Sequence, residues 1–216
     1  MINLKLNNTA PLKLLALGAH CDDIEIGCGA TIAKLLHQNP DAEVHWIVFS
    51  SNSEREKEAL SSAKAYLSAH SNINIEINNF RNGFFPYVAT DIKEYFEQIK
   101  SRFNPDVIFT HFLEDRHQDH RTIAELTWNT FRNHLILQYE IAKYDGDLVT
   151  PNFYCDLDDS QVTYKVTSLL KYFESQTDKH WFTEDLFKSL MRLRGIECAS
   201  KSGFAEGFHV KKACLL

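Results

Sequence analysis

The chain has 216 residues, of which 44% are hydrophobic, and this content is enough to bury the core of one α/β domain over residues 1–216. Its net charge of −6, without a run of Lys and Arg, argues against nucleic acid as the main partner, because phosphate binding needs clustered cations. Five cysteines without a CxxC pair, and the lack of a signal-peptide or bilayer-length apolar run, predict a soluble, reduced, cytoplasmic protein without a transmembrane segment.

The first half of the chain alternates between strand and helix patterns. A nearly continuous apolar run over residues 12–19 is typical of a strand that is covered on both faces. A glycine-rich turn follows, and apolar spacing predicts a helix over residues 31–37. A second strand is expected at residues 43–50, and SERE at residues 53–56 is a capping-box sequence that starts the next helix. Residues 72–77 alternate as in a third strand.

The second half of the chain continues this alternation. Its predicted elements are a helix at 91–102, a fourth strand at 106–111, a helix from about Arg121, a fifth strand at 134–142, helices at 161–175 and 183–194, and a short strand within 205–212. Strands that alternate with helices predict an α/β fold with a mostly parallel sheet wrapped by helices. In such sheets, ligands bind beyond the carboxyl ends of the strands.

Two polar clusters follow predicted strands at those ends. HCDD (residues 20–23) leaves the first strand. The second cluster leaves the fourth strand and holds His111, Glu114, Asp115, His117, Asp119 and His120. The first and fourth strands are neighbours in the usual doubly wound order, so we expect the two loops to meet.

Together the two clusters offer the ligands of a metal site. Two histidines and one carboxylate, with an open position for water, suit catalytic zinc, although iron, cobalt and nickel accept the same ligands. A second carboxylate can then move protons, and the cation offsets its repulsion with the first. Alternatives are a surface turn with helix-capping aspartates, and a nucleotide loop at GCG (residues 27–29). The latter lacks the third glycine of GxGxxG, and acidic residues would repel a pyrophosphate.

At these positions the chain resembles the PIG-L/LmbE-like family of zinc-dependent N-acetylglucosaminyl deacetylases. The family's AHPDD element and the glycines after it stand here as AHCDDIEIGCGATI (residues 19–32), and its HPDH element stands as HQDH (residues 117–120). The resemblance extends to RxxE at residues 55–58, PDVIFTH at 105–111 and FAEGF at 204–208. It implies a Rossmann-like, three-layer α/β fold and removal of an acetyl group from an N-acetylated amino sugar.

The resemblance also assigns roles by position in the motifs. It implies three metal ligands, which are His20, Asp23 and His120. Asp22 is implied as the general base that activates water, a distinction from Asp23 that spacing alone does not provide. His117 is implied to stabilise the oxyanion or protonate the leaving amine, with Asp119 orienting it.

Further positions are predicted to contact substrate. Arg55 is expected to hold sugar hydroxyls or a phosphate, with Glu58 positioning it, although a surface ion pair is the alternative. Asn82 is expected to hydrogen-bond the sugar, and Glu206 to contact substrate or to orient a ligand histidine. Two family prolines are replaced here, by Cys21 and Gln118. We expect the cysteine to point into the core and the glutamine to loosen its turn.

The predicted function is therefore zinc-dependent hydrolysis of the amide of an N-acetylated amino sugar, either free or linked to a nucleotide, a lipid or another glycoside. One alternative is hydrolysis of a related amide on a carrier-linked sugar. Another is a non-catalytic protein that binds sugars or nucleotides. The complete motif set favours an enzyme, because a relic tends to lose its proton-transfer residue. The expected partner is the small-molecule substrate, and a homo-oligomer stays open.

Overall fold

The computed structural model describes residue 6 and residues 10–214, which form one seven-stranded sheet with helices on both faces. The strands are β1 (Lys13–Gly18), β2 (Glu43–Val48), β3 (Ile73–Ile77), β4 (Val107–His111), β5 (Leu135–Tyr139), β6 (Phe153–Leu157) and β7 (Phe204–His209). The helices are α1 (Asp23–Gln38), α2 (Ser53–Tyr66), α3 (Ala89–Arg102), α4 (Gln118–Thr130), α5 (Asp159–Tyr172) and α6 (Glu184–Glu197). Short 3₁₀ turns cover Phe85–Tyr87 and Glu174–Gln176.

The strand order is β3-β2-β1-β4-β5-β7-β6. The first five strands of this order run parallel, and β7 is antiparallel to both of its neighbours. This confirms the predicted, mostly parallel sheet, and the pairing of Leu14 on β1 with Val107 on β4 confirms that these two strands are neighbours. The loops after β1 and β4 consequently open side by side at the carboxyl edge of the sheet.

The strand β1 explains why residues 12–19 are apolar almost without a break. Leu14 and Ala16 are buried with residues of α1, α2, α5 and α6, whereas Leu15 and Leu17 are buried with residues of α3 and α4. Successive side chains of a strand point to opposite faces, so both faces of β1 require apolar residues. This arrangement is the three-layer fold that the family resemblance implied.

The helix α1 differs from the prediction, since it begins at Asp23 and not at residue 31. The glycine-rich stretch is helical, with a kink at Cys28, whose φ and ψ are −148° and 15°. Gly27 packs against Tyr139 of β5 so closely that a Cβ atom would lie 2.1 Å from the ring. The glycine therefore lets the helix approach the sheet.

Two smaller predictions were also wrong, and one strand was missed. The cap of α2 is Asn52 and not Ser53, because the Asn52 side chain accepts hydrogen bonds from the backbone N–H groups of Glu54 and Arg55. The helix α4 begins at Gln118, inside the HQDH motif, and not near Arg121. The strand β6 was not predicted, since it is a short edge strand whose residues are mostly half-exposed.

Candidate active site

The two sequence motifs occupy equivalent places, each between a strand end and a helix start. Asp22 is the residue that precedes α1, and His117 is the residue that precedes α4. Because β1 and β4 are adjacent, the motifs meet, and His20 Nδ1 lies 3.2 Å from His120 Nε2. The predicted encounter of the two loops is therefore present in the structure.

The side chains of three residues, His20, Asp23 and His120, bring potential ligand atoms together in a compact triangle, with one Asp23 oxygen facing each histidine. His20 Nδ1 lies 3.2 Å from His120 Nε2 and 3.3 Å from Asp23 Oδ2, and His120 Nε2 lies 3.5 Å from Asp23 Oδ1. Ligand atoms at the corners of a zinc tetrahedron, with bonds of about 2.0–2.1 Å, are separated by about 3.3 Å. The triangle thus fits a small divalent cation, and Asp23 and His120 are both buried.

The carboxylate of Asp119 contacts His20, whereas the prediction had Asp119 orienting His117. Its Oδ2 atom lies 3.2 Å from His20 Nε2 and accepts a hydrogen bond of 2.6 Å from the backbone N–H of Gly83. Its Oδ1 atom accepts from the N–H of Phe85. The first turn of α4 directs the carboxylate towards residues 83–85, so only the backbone N–H of Asp119 reaches Nδ1 of His117, at 3.2 Å.

Asp115 performs the corresponding task for His120. Its Oδ2 atom lies 2.9 Å from His120 Nδ1, and its Oδ1 atom accepts from the backbone N–H of His117 at 2.7 Å. This leaves Nε2 of His120 directed at the triangle. The sequence placed Asp115 in the polar cluster without a role, because nothing in the spacing separates it from the neighbouring, exposed Glu114.

His111, at the end of β4, supports the triangle by packing. Its ring stacks on that of His120, with centroids 3.9 Å apart and planes at 17°. Its Nε2 atom lies 3.2 Å from Asp23 Oδ2 and accepts a hydrogen bond of 2.9 Å from the backbone N–H of Ala19. The stacked ring of His111 thus holds the imidazole of His120 in place.

The surroundings shift the pKa values of His20, His120 and Asp23 in different directions. Burial acts to lower the pKa of His20, but the carboxylates of Asp23 and Asp119 outweigh it and raise the value to about 9. Burial and the neighbouring His111 lower the pKa of His120 to about 3. Burial acts to raise the pKa of Asp23, yet the three imidazoles around it lower that pKa well below its ordinary value. An ionised carboxylate therefore lies at the centre of a ring of imidazoles.

Asp22 lies outside the triangle and pairs with Arg55. Its side chain caps no backbone N–H of α1, and Asp22 Oδ1 lies 2.8 Å from Arg55 Nη2. The predicted positioning of Arg55 by Glu58 was wrong. Glu58 accepts hydrogen bonds from the backbone N–H and the hydroxyl of Ser175 instead, at 2.8 and 2.6 Å, because it faces the 3₁₀ turn that follows α5.

The segment after that turn brings a second cation towards Asp22. Burial acts to lower the pKa of Lys179, Asp22 acts to raise it and Arg55 acts to lower it, and the net shift is downward. The ammonium of Lys179 also lies 5.4 Å from the centre of the Trp181 ring. Arg55 thus contacts Asp22 directly, and Lys179 is near enough for the charges of both residues to act on it.

Two further predicted substrate contacts lie in different surroundings. Asn82 is exposed and directly precedes Gly83, whose positive φ of 79° lets its N–H point at Asp119. Glu206 stays a predicted contact, but it is 3% exposed and its carboxylate contacts other groups of the protein. It accepts from the backbone N–H groups of Ala30 and Thr31 and pairs with Lys165.

The two residues that replace family prolines are both ordered by contacts. The thiol of Cys21 lies 3.4 Å from the carbonyl oxygen of Ser50, and burial raises its pKa to about 12. This side chain points into the core, as expected, and stays a neutral thiol. Gln118 donates a hydrogen bond of 3.1 Å from Nε2 to the carbonyl oxygen of Gly83, a contact that proline lacks.

Fold and side-chain cluster together define an α/β protein with a candidate metal centre at the carboxyl ends of its parallel strands. A family model described as PIG-L, GlcNAc-PI de-N-acetylase, matches residues 15–131, which are more than half of the chain. The chain belongs to this deacetylase family, and the resemblance of its two motifs is confirmed. It is also 27% identical to the uncharacterized deacetylase YaiS of Escherichia coli (strain K12), over 74% of this chain and 89% of YaiS.

Solved structures share the fold over nearly the whole chain. The conserved protein TT1542 from Thermus thermophilus has a TM-score of 0.73 at 19% identity, covering 95% of this chain and 97% of TT1542. The N,N'-diacetylchitobiose deacetylase from Pyrococcus horikoshii has a TM-score of 0.66 at 21% identity, covering 92% of this chain and 83% of that enzyme. Within residues 6 and 10–214, no helix is long and apolar enough to cross a membrane.

Proposed function

We propose that the protein is a metal-dependent deacetylase that removes the acetyl group from the nitrogen of an amino sugar. The convergence of His20, Asp23 and His120 within about 3.5 Å of one another, with Asp22 beside them, supports this proposal above other observations. Membership of the PIG-L family supplies the reaction class. The name of the Pyrococcus horikoshii relative, a diacetylchitobiose deacetylase, agrees with an acetylated sugar as the substrate class.

The proposed cation is zinc, held by His20 Nδ1, Asp23 and His120 Nε2. Both imidazoles direct their other nitrogen at a carboxylate, Asp119 for His20 and Asp115 for His120. This is the usual way in which proteins fix histidine ligands. When bound, zinc polarises the amide carbonyl and lowers the pKa of water, and iron, cobalt or nickel could serve with the same ligands.

Asp22 is the proposed general base. Its carboxylate is buried and adjacent to the ligand Asp23, and no helix N–H competes for it. The Arg55 guanidinium, 2.8 Å away, holds the carboxylate in one position. We assign Asp22 the task of taking the proton from the water that attacks the amide carbon, a type of step that contributes about 10²–10⁴-fold to a rate.

His117 is the proposed donor to the reacting amide. Its Nδ1 atom accepts the N–H of Asp119, so the neutral ring carries its proton on Nε2. Burial and the neighbouring His20 lower the pKa of His117 below its ordinary value, which keeps the ring neutral near pH 7. The Nε2–H of the neutral ring can therefore donate a hydrogen bond to the oxyanion, while the proton for the leaving amine comes from Asp22, which has taken it from the attacking water. The role of Asp119 changes from orienting this ring to presenting its backbone N–H.

Two cations near Asp22 favour a particular version of the alternative function, in which the sugar is joined to a carrier. Arg55 contacts Asp22, and Lys179 is near enough for the charges of both residues to act on it. A carrier with a phosphate or a carboxylate would be attracted there, because Coulomb interactions in a partly buried site are weakly screened. Asn82 remains a predicted contact to a sugar hydroxyl.

Acetate release by the zinc-loaded protein tests the proposal. The substrates are N-acetylglucosamine, N,N'-diacetylchitobiose and N-acetylglucosamine 1-phosphate, the last of which has an acidic carrier group. Asp22→Asn should retain zinc by elemental analysis and lose at least about 100-fold in kcat. Asp23→Ala should lose the metal. Asp41→Asn, the same chemical change at an exposed position, is the control and should behave as the wild type.

The outcomes separate the hypotheses. Release of acetate by the wild type with loss in Asp22→Asn supports the proposed enzyme and its base. Normal turnover in Asp22→Asn removes that residue from the mechanism. Zinc binding without acetate release from any of the three sugars favours a related amide or a non-catalytic binding protein. Failure to bind zinc, cobalt or iron would contradict the metal centre.

A further inference from the structure

A buried cation outside both family motifs contacts the candidate metal centre indirectly. Lys143 follows β5, and its side chain is only 7% exposed. Its ammonium lies among three carboxylates, 3.0 Å from Asp115, 2.9 Å from Asp147 and 3.5 Å from Asp145. A lysine is rarely buried to this degree unless it is paired, so these contacts account for its position.

Asp115 connects this lysine to a proposed metal ligand. One carboxylate oxygen, Oδ1, receives Lys143 and the backbone N–H of His117, and the other, Oδ2, lies 2.9 Å from Nδ1 of His120. All three side chains, Lys143, Asp115 and His120, are less than one-tenth exposed. A continuous line of polar contacts therefore runs from the ammonium to the imidazole.

The loop that follows β5 makes a second contact with the loop that follows β4. Asp147 accepts a hydrogen bond of 2.8 Å from the backbone N–H of Arg116 and lies 2.9 Å from Lys143. The segment that follows β5 therefore contacts residues 115–117 through two side chains, Lys143 and Asp147. Removal of Lys143 would leave one oxygen from each of Asp115, Asp145 and Asp147 within 4.8 Å of one another with no cation between them. Their repulsion would act directly on Asp115.

We propose that Lys143 is a positioning residue for the metal centre, which fixes the Asp115 carboxylate and through it the direction of His120 Nε2. This inference rests on the proposed metal site and adds a residue that lies outside both family motifs. Partners of ligand histidines commonly change metal affinity by about 10–100-fold when they are removed. The effect of Lys143 should be transmitted through Asp115, and this gives the inference a specific signature.

The test is a double-mutant cycle read out by zinc affinity. Lys143→Met, Asp115→Asn and the double variant are loaded with zinc, and their affinities are measured by competition with a chelating dye. We expect Lys143→Met to bind zinc about 10–100-fold more weakly than the wild type. In the Asp115→Asn background, the same change should have less than about threefold effect, because residues that act through one network are not additive.

Three further variants keep the test independent of folding. Lys143→Arg preserves the positive charge and should restore zinc affinity to within about threefold of the wild type. Lys143→Gln repeats the cycle with a polar side chain if the methionine variant does not fold, which circular dichroism reveals. Lys188→Met removes an exposed lysine of α6 that pairs with Glu184 and is the matched control. Its zinc affinity should equal that of the wild type.

Different failures point to different steps. Equal zinc affinity in the wild type and Lys143→Met, or fully additive effects with Asp115→Asn, would overturn the inference and leave the proposed deacetylase intact. If Lys143→Arg bound zinc as weakly as Lys143→Met, the inference would also be overturned, because a positive charge at position 143 would then not restore zinc affinity. Absence of zinc from the wild type would overturn both the metal centre and this inference.

Discussion

Glu206 offers a test that separates a structural from a catalytic role. In an unbroken α-helix the N–H of Ala30 would donate to the carbonyl of Ile26, four residues earlier. At the kink in α1, Glu206 accepts from the Ala30 N–H at 3.1 Å, and Lys165 donates to the Ile26 carbonyl at 2.6 Å. Glu206 and Lys165 also contact each other at 2.6 Å. The ion pair thus replaces a helix hydrogen bond at both of its ends.

The change Glu206→Ala should therefore destabilise the fold strongly. The two side chains of this pair are 4% and 2% exposed, so the variant leaves the Lys165 charge buried without a partner. Breaking a buried ion pair in this way costs about 3–5 kcal/mol of unfolding free energy. Total stabilities of about 5–15 kcal/mol make this a large fraction. Adding Lys165→Met should recover at least about 1 kcal/mol, because it removes the unpaired charge.

Urea unfolding followed by circular dichroism measures these free energies, with equal metal content in every sample. The kcat/KM of the folded fraction of Glu206→Ala should stay within about threefold of the wild type, since Glu206 contacts the backbone of α1 and not the metal triangle. The reasoning is refuted if Glu206→Ala unfolds within about 1 kcal/mol of the wild type while its turnover collapses. That result would support the substrate contact that the FAEGF motif suggested.

Three other predictions follow from single contacts. Burial and the charges of Arg194 and Lys211 lower the pKa of His209 to about 4. Between pH 6.5 and 4 the unfolded chain therefore protonates this histidine while the folded protein does not. The folded state loses stability as the pH falls through this window. His209→Phe keeps the stack on Phe112. Between pH 7.5 and pH 5 the wild type should lose about 2 kcal/mol of unfolding free energy that this variant retains. Equal dependence of the unfolding free energy on pH in both proteins, measured by urea unfolding, would contradict the assignment. Asp119→Asn should weaken zinc binding about 10–100-fold in a chelator competition, because the carboxylate orients His20; a loss of kcat with unchanged zinc affinity would return Asp119 to the role of orienting His117. Gln118→Pro should change the unfolding free energy by less than about 1 kcal/mol, because position 118 is the first residue of α4 and the preceding His117 has an extended backbone; a larger loss would show that the contact to Gly83 is essential.

The parts of the fold that the sequence predicted depend on local patterns. The apolar run that became β1 is unbroken because helices cover both faces of the sheet. The pairing of β1 with β4 follows from the usual order of such sheets, and it brings HCDD and HQDH together. His20, Asp23 and His120 consequently lie where the motif resemblance led us to expect them, although their roles as ligands remain proposals.

The parts that the sequence did not predict depend on contacts between distant residues. The kink at Cys28 looked like a turn because the groups that satisfy its backbone, Lys165 and Glu206, lie more than 130 residues further along the chain. Glu58 was expected to position Arg55 because it is one helical turn away, yet it bonds Ser175 across 117 residues. Periodicity and spacing report on neighbours in the chain and contain no information about such partners.

The two adjacent aspartates are compatible because their partners differ. Asp23 is surrounded by the imidazoles of His20, His111 and His120, whereas Asp22 faces the guanidinium of Arg55. Positive groups thus offset both carboxylates before any metal binds. The pKa of about 9 for His20 means that the metal-free site holds a proton on this ring at pH 7, and a cation at Nδ1 must displace it. Zinc uptake should therefore release a proton, because zinc and the proton compete for Nδ1 of His20.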